Sequence, residues 1–339
     1  MIRWTLLLIL AAGAWGAPCT RAAPECAEKV PLGPAGRFSL VYRSYPLGTQ
    51  NAAIERALIV IHGAGRNADH YFASGVAGAL LAEGLETTLV ASPRFASGAG
   101  NCRDKLDAGE ISWGCSGPGD WRGGGAAPGL AGVHSYDLID ELLKILARRE
   151  VFPNLKVIVI TGHSAGGQFL NRYAAANRVE TGLGVPVRHV VSNPSSYLYL
   201  DETRLTPGAA CTEKGDCTGG FSVYREGQNC TTYNQWRYGM EKRVGYAAAL
   251  PDAGLRSQLA ARDVTYLLGG LDTLPLFGFD GSCPAMAQGP NRLARGLTYW
   301  NYLKSKHGAR HNLVIVPNCG HNGRCMYTAD PALPLLFPR

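Results

Sequence analysis

Residues 162–166 read Gly-His-Ser-Ala-Gly, directly after the apolar run LKVIVIT and just before the helix-like stretch FLNRYAAANR. A serine on such a strand-to-helix turn is held in a strained conformation that lifts its hydroxyl clear of the sheet, and the flanking glycines let strand and helix approach closely. Ser164 is therefore the candidate nucleophile. A serine hydroxyl is a weak nucleophile near neutral pH, so it needs a base, and the base needs an orienting acid. Asp272 follows VTYLLGGL, a short apolar run broken by glycines, and His321 follows NLVIVPNCG, a β-branched run that ends in a loop. Asp252, Asp263 and Asp280 compete as the acid, but none directly follows a strand-like run. Among the eight histidines, His70, His134, His189, His307 and His311 sit in or beside helix and strand patterns. Only His321 combines a post-strand loop with a place after the acid. The chemistry such a set performs is acyl transfer through a covalent serine ester.

Acyl transfer also needs two backbone N–H groups aimed at the oxygen on which charge develops. One comes from the residue after the nucleophile, Ala165. RALIVIHGAGRNADHYF supplies the other: a six-residue apolar strand, then His62-Gly63, then Ala64 and Gly65 before a helix start. The Ala64 amide is the favoured second donor and Gly65 the alternative. His62 reads as a hydrogen-bonding prop for this loop rather than a proton shuttle.

The elements that must position these groups follow the same pattern. RFSLVYRSYP reads as an edge strand or hairpin, RALIVIHG and TTLVASPRF as strands, and ADHYFASGVAGALLAEG as a helix. SYDLIDELLKILARRE reads as a helix before the nucleophile strand, and VPVRHVVSNPSS as the strand after it. PNRLARGLTYWNYLKSKH, with Leu293, Leu297, Trp300 and Leu303 at helical spacing, separates Asp272 from the last strand. Strands alternating with helices, with runs such as LIVI and VIVI, mean a parallel sheet covered on both faces. Two stretches break the alternation: the Gly-rich residues 96–132, and residues 196–262, rich in tyrosine. The insertion aromatics Trp113, Trp121, Tyr197, Tyr199 and Trp236 are candidates for lining a substrate cleft, Trp121 and Tyr197 first among them.

HGAG at 62–65, GHSAGG at 162–167, LDT at 271–273 and CGHNG at 319–323 together resemble the α/β-hydrolase superfamily, within its esterase, lipase and polyester-depolymerase branch, over residues 38–321. The resemblance implies an α/β-hydrolase fold: a mostly parallel central sheet flanked by helices, with an insertion after the sixth strand (here 196–262) forming a cap-like segment over the active site. It implies acyl-enzyme catalysis through Ser164, His321 and Asp272, with no metal or organic cofactor. The expected substrate is a small-molecule or polymeric carboxylic ester. An amide or polyamide is the alternative, since the same triad serves either. A non-catalytic binding protein on this fold is the rival from another class, but such relatives typically lose a triad member and this chain keeps all three.

The 339 residues, 46% hydrophobic and 17% charged, suit one large α/β domain, expected over residues 24–339. Arg3, the apolar run Trp4–Ala12 and the small residues up to Ala23 read as a signal peptide, cleaved after Ala14, Ala17 or Ala23. The run is too short for a stable membrane span, so a periplasmic or secreted protein is expected. The net charge of +7 comes from scattered basic residues, with no nucleic-acid motif. Ten cysteines in an exported chain imply disulfides, and proximity suggests Cys102–Cys115, Cys211–Cys217 and Cys319–Cys325. The last would enclose His321. A metal site at Cys319-x-His321-x-x-x-Cys325 lacks zinc-finger spacing and a fourth ligand.

Overall fold

The computed structural model describes residues 16–225, 229–276 and 278–339; the apolar run of the expected leader lies outside them. The main sheet holds β1 (Ala27–Pro31), β2 (Phe38–Arg43), β3 (Arg56–Ile61), β4 (Thr88–Pro93), β5 (Val157–His163), β6 (Val187–Ser192), β9 (Val264–Gly269) and β10 (Asn312–Val316). Their order is β1-β2-β4-β3-β5-β6-β9-β10. β1 and β2 run antiparallel at one edge, and every pair from β4 onward is parallel. RFSLVYR is thus a strand one place in from the edge, because β1 covers it.

Side-chain alternation builds two cores. Ala57, Ile59 and Ile61 of β3 and Ile158 and Ile160 of β5 face one side; Leu58, Val60 and Val159 face the other. The first face is covered by α2 (Ser135–Leu146) and α3 (Ala165–Ala176), whose apolar residues join that core. The second is covered by α1 (Ala68–Leu81), α7 (Gly323–Thr328) and α8 (Leu333–Leu336). Of the expected stripe in α6 (Arg292–His307), Leu303 is fully buried but Leu293, Leu297 and Trp300 only partly, while Tyr299 and Tyr302 are fully buried. The helix turns its aromatic face inward.

Both insertions pack around α3. Residues 96–132 contain one 3₁₀ turn, Trp121–Gly123; residues 196–262 contain a small ribbon, β7 (Thr203–Leu205) with β8 (Phe221–Val223), and α4 (Asp252–Ala261). Arg237 Nη1 meets Asp120 Oδ2 at 2.9 Å, and Trp236 Nε1 donates to Gly123 O at 2.9 Å, so the insertions hold each other. Arg172 of α3, fully buried, donates to Arg237 O and Ser196 Oγ. The three nearby cysteine pairs form as expected, joined by Cys19–Cys26 and by Cys230–Cys283, which ties the second insertion to α5 (Cys283–Met286). No helix among the described residues is long and apolar enough to cross a membrane.

Candidate active site

Parallel strands in register deliver their following loops to one edge of a sheet, and ligands of such sheets collect there. The loops after β3, β5, β9 and β10 carry His62-Gly63, Ser164, Asp272 and His321 respectively. Ser164 caps α3 with φ 59° and ψ −116°, a conformation side chains avoid. The turn is closed too tightly for larger neighbours: a Cβ on Gly162 would stand 2.3 Å from Gly166 O, and one on Gly166 2.3 Å from Ile61 O.

Ser164, His321 and Asp272 come together across 157 and 49 residues of chain. His321 Nε2 lies 2.9 Å from Ser164 Oγ, and His321 Nδ1 lies 2.8 Å from Asp272 Oδ2. Asp252, Asp263 and Asp280 do not contact His321; Asp280 pairs with Tyr238 and Ser282. The histidine loop is closed by the Cys319–Cys325 disulfide, and Asn322 caps α7 through Cys325 N at 3.0 Å.

Two residues not expected from the sequence complete the frame. Arg292 is buried, with its Nη1 3.4 Å from Asp272 Oδ1, Nε 2.6 Å from Ser195 Oγ and Nη2 2.8 Å from Leu276 O. A basic residue at the first position of a helix opposes the helix dipole, which was the one hint of another role. Asn193, just after β6, accepts from Gly269 N at 2.8 Å and donates to Gly320 O at 3.3 Å, linking the acid and histidine loops. Its φ of 44° is the left-handed conformation that asparagine tolerates.

His62 is a prop, as expected. Phe95 N donates to its Nε2 at 3.0 Å, its Nδ1 faces Gly63 O at 2.9 Å, and burial pulls its pKa down to about 4. Ala64 lines the cleft with Ser164, and Ala165 is the first residue of α3. The Ala64, Gly65 and Ala165 amides donate to no described backbone carbonyl outside the helices and strands. His163 lies beside Ser164 and His321, its ring 4.6 Å from that of His321.

The cleft over Ser164 and His321 has a volume of about 810 Å³ and runs between the loop after β3, α1 and the start of α7. Neither Trp121 nor Tyr197 lines it, which corrects the expectation for both. Trp121 is 2% exposed, stacked on Phe95 at 5.1 Å and against His62 at 4.9 Å. Tyr197 is fully buried on Tyr299 at 4.5 Å. Trp113, Tyr199 and Trp236 are buried as well, and no described residue of 196–262 lines the cleft. The physical reason is area: large rings stabilise most where both faces are covered, and the outer surfaces of α3 and α6 offer that cover. No group of three or more His, Cys, Asp or Glu among the described residues is arranged to hold a metal ion.

No family model matches the chain, and no curated protein does. Solved structures share its architecture, among them the following two. LpqC, a poly(3-hydroxybutyrate) depolymerase from Bordetella parapertussis, aligns with a TM-score of 0.58 and 20% identity over 89% of this chain and 85% of that one. Poly(aspartic acid) hydrolase-1 from Sphingomonas sp. KT-1 aligns with a TM-score of 0.55 and 22% identity over 88% and 95%. Likeness at this level of identity establishes a common fold.

Proposed function

We propose that this chain, which has the α/β-hydrolase fold, is an exported serine hydrolase that cleaves carboxylic esters, with residues 24–339 as one catalytic domain. The observation that carries the reading is the continuous line Ser164 Oγ, His321 Nε2, His321 Nδ1, Asp272 Oδ2, with links of 2.9 and 2.8 Å. Ser164 adds to the ester carbonyl while His321 takes its proton, and Asp272 orients the ring and stabilises the imidazolium. The Ala64 and Ala165 amides hold the oxyanion. His321 then protonates the leaving alcohol and activates water to release the acid.

The Cys319–Cys325 bridge holds the loop that carries His321. Five disulfides support an oxidising compartment, periplasmic or extracellular. The depolymerase named above and the size of this cleft, about 810 Å³, support a polymeric or long ester among the substrates.

The test is hydrolysis of p-nitrophenyl esters from acetate to palmitate, with wild type beside Ser164→Ala, together with fluorophosphonate labelling. Turnover abolished by Ser164→Ala supports the reading, and the chain-length optimum sizes the acyl site. Labelling without ester turnover moves the reading to amides; no labelling at all moves it to a binding protein.

A further inference from the structure

Tyr71 of α1 lines the cleft with Ser164 and His321, and the mechanism above gives it no task. His163 and Gly63 crowd its hydroxyl. His163 Nδ1 lies 3.0 Å from Oη. A Cβ on Gly63 would stand 2.8 Å from Tyr71 Oη and 3.7 Å from Ser164 Cβ, so phenol and nucleophile flank the same glycine.

A hydroxyl has one proton to give and two lone pairs to fill. Which way the Tyr71 proton points is decided by His163. Burial first, then the neighbouring His321 and Arg292, hold the His163 pKa well below its ordinary value, so the ring is neutral and carries one proton. Its Nε2 is buried without a partner among the described residues. Buried N–H groups are almost never left orphaned, whereas lone pairs are satisfied less strictly. The proton therefore sits on Nδ1 and is donated to Tyr71 Oη. With His163 donating to a lone pair of its oxygen, Tyr71 keeps its own proton for the cleft.

We propose that the Tyr71 hydroxyl is a further catalytic donor, hydrogen-bonding the substrate carbonyl oxygen as Ser164 adds to the carbon. This rests on the serine-hydrolase reading. In that step the Ser164 Oγ–carbon bond forms, the Ser164 proton passes to His321 Nε2, and the carbonyl π pair moves onto oxygen. Tyr71 keeps its proton throughout and adds a third hydrogen bond beside the Ala64 and Ala165 amides. Burial raises the phenol to about 12, so it stays neutral and able to donate across the neutral range.

The experiment compares wild type with Tyr71→Phe in ester kinetics, in the rate of fluorophosphonate labelling and in affinity for a boronic acid that forms a tetrahedral serine adduct. The expected result is a fall of about 10- to 100-fold in kcat, in labelling rate and in adduct affinity, with KM nearly constant, as for loss of one oxyanion donor among several. The ¹⁵N spectrum of the wild-type imidazoles should show His163 protonated on Nδ1, a measurement that needs no variant. A Tyr71→Phe protein with wild-type kcat and adduct affinity overturns the proposal, and so does a His163 proton on Nε2. If fluorophosphonate does not label wild-type Ser164, the hydrolase reading itself fails and this proposal with it. A labelled wild type with an equally fast Tyr71→Phe removes the proposal alone.

Discussion

Arg292 Nη1 stands 3.4 Å from Asp272 Oδ1, with both side chains at most 1% exposed, so the carboxylate that orients His321 is itself held by a buried cation. The guanidinium spans Asp272, Ser195 Oγ and Leu276 O, and so joins the acid loop to the segment after β6.

Removing that cation leaves a buried carboxylate with the His321 ring as its remaining side-chain partner among the described residues. Arg292→Met is expected to cost about 3 kcal/mol of stability, the low end for breaking a buried pair because the contact is long. Arg292→Lys should recover little, since one ammonium cannot span three acceptors. Urea denaturation of the two variants beside wild type checks both.

Asp272→Asn keeps the shape of the acid but presents an amide that can hold the wrong tautomer of His321. The expected loss is ~10⁴-fold in kcat, by analogy with the same change in other Ser-His-Asp enzymes. Circular dichroism should be unchanged. A loss below tenfold would remove Asp272 from the proposed triad.

The Cys319–Cys325 bridge closes a short loop, worth ~2 kcal/mol by chain entropy. Its larger effect should be on activity. The Cys319→Ser, Cys325→Ser double variant is expected to lose most ester turnover while remaining folded at 25 °C. Intact activity in that variant would refute a role for the bridge in holding His321.

Far from the cleft, Glu180 sets part of the pH dependence of stability. Burial raises its pKa to about 7 against the attraction of Arg262, which lies 3.1 Å away. Its second oxygen is 3.5 Å from His189 Nε2, on a ring whose Nδ1 faces Asp263 O and whose pKa burial holds near 3. Because the folded state holds the Glu180 proton more tightly than the unfolded state, its stabilisation is complete below about pH 4.5 and is lost as pH rises through about 7. His189 imposes the opposite slope below its ordinary pKa, but equally in a Glu180→Gln variant. The variant, whose amide can replace the neutral acid, should match wild type at pH 5 and exceed it by up to ~3 kcal/mol at pH 8. Chemical denaturation at the two pH values measures that difference.

The strands and the candidate triad were legible in the sequence because their causes are local. β3 and β5 are apolar on both faces, the mark of a strand covered on both sides, and GHSAG admits no side chain at Gly162 or Gly166. Asp272 and His321 each follow a strand, so chain order and the parallel sheet suffice to bring their loops to one edge. Pairing by proximity reached three disulfides and could not reach Cys230–Cys283, whose partners lie 53 residues apart.

Tertiary structure decided everything that depends on which surface an irregular segment covers. The aromatic residues of the insertions had no period to say which way they face. Trp121 and Tyr197 went to the core because α3 and α6 offered cover on both sides of their rings. Asn193 and Arg292 carry no motif; their roles arise from contacts with Gly269, Gly320 and Asp272, which only the closed sheet edge brings within reach. Local pattern specifies an element and its inward face, whereas the partner across a loop is chosen by packing the whole chain, where burial and hydrogen-bond satisfaction are met together.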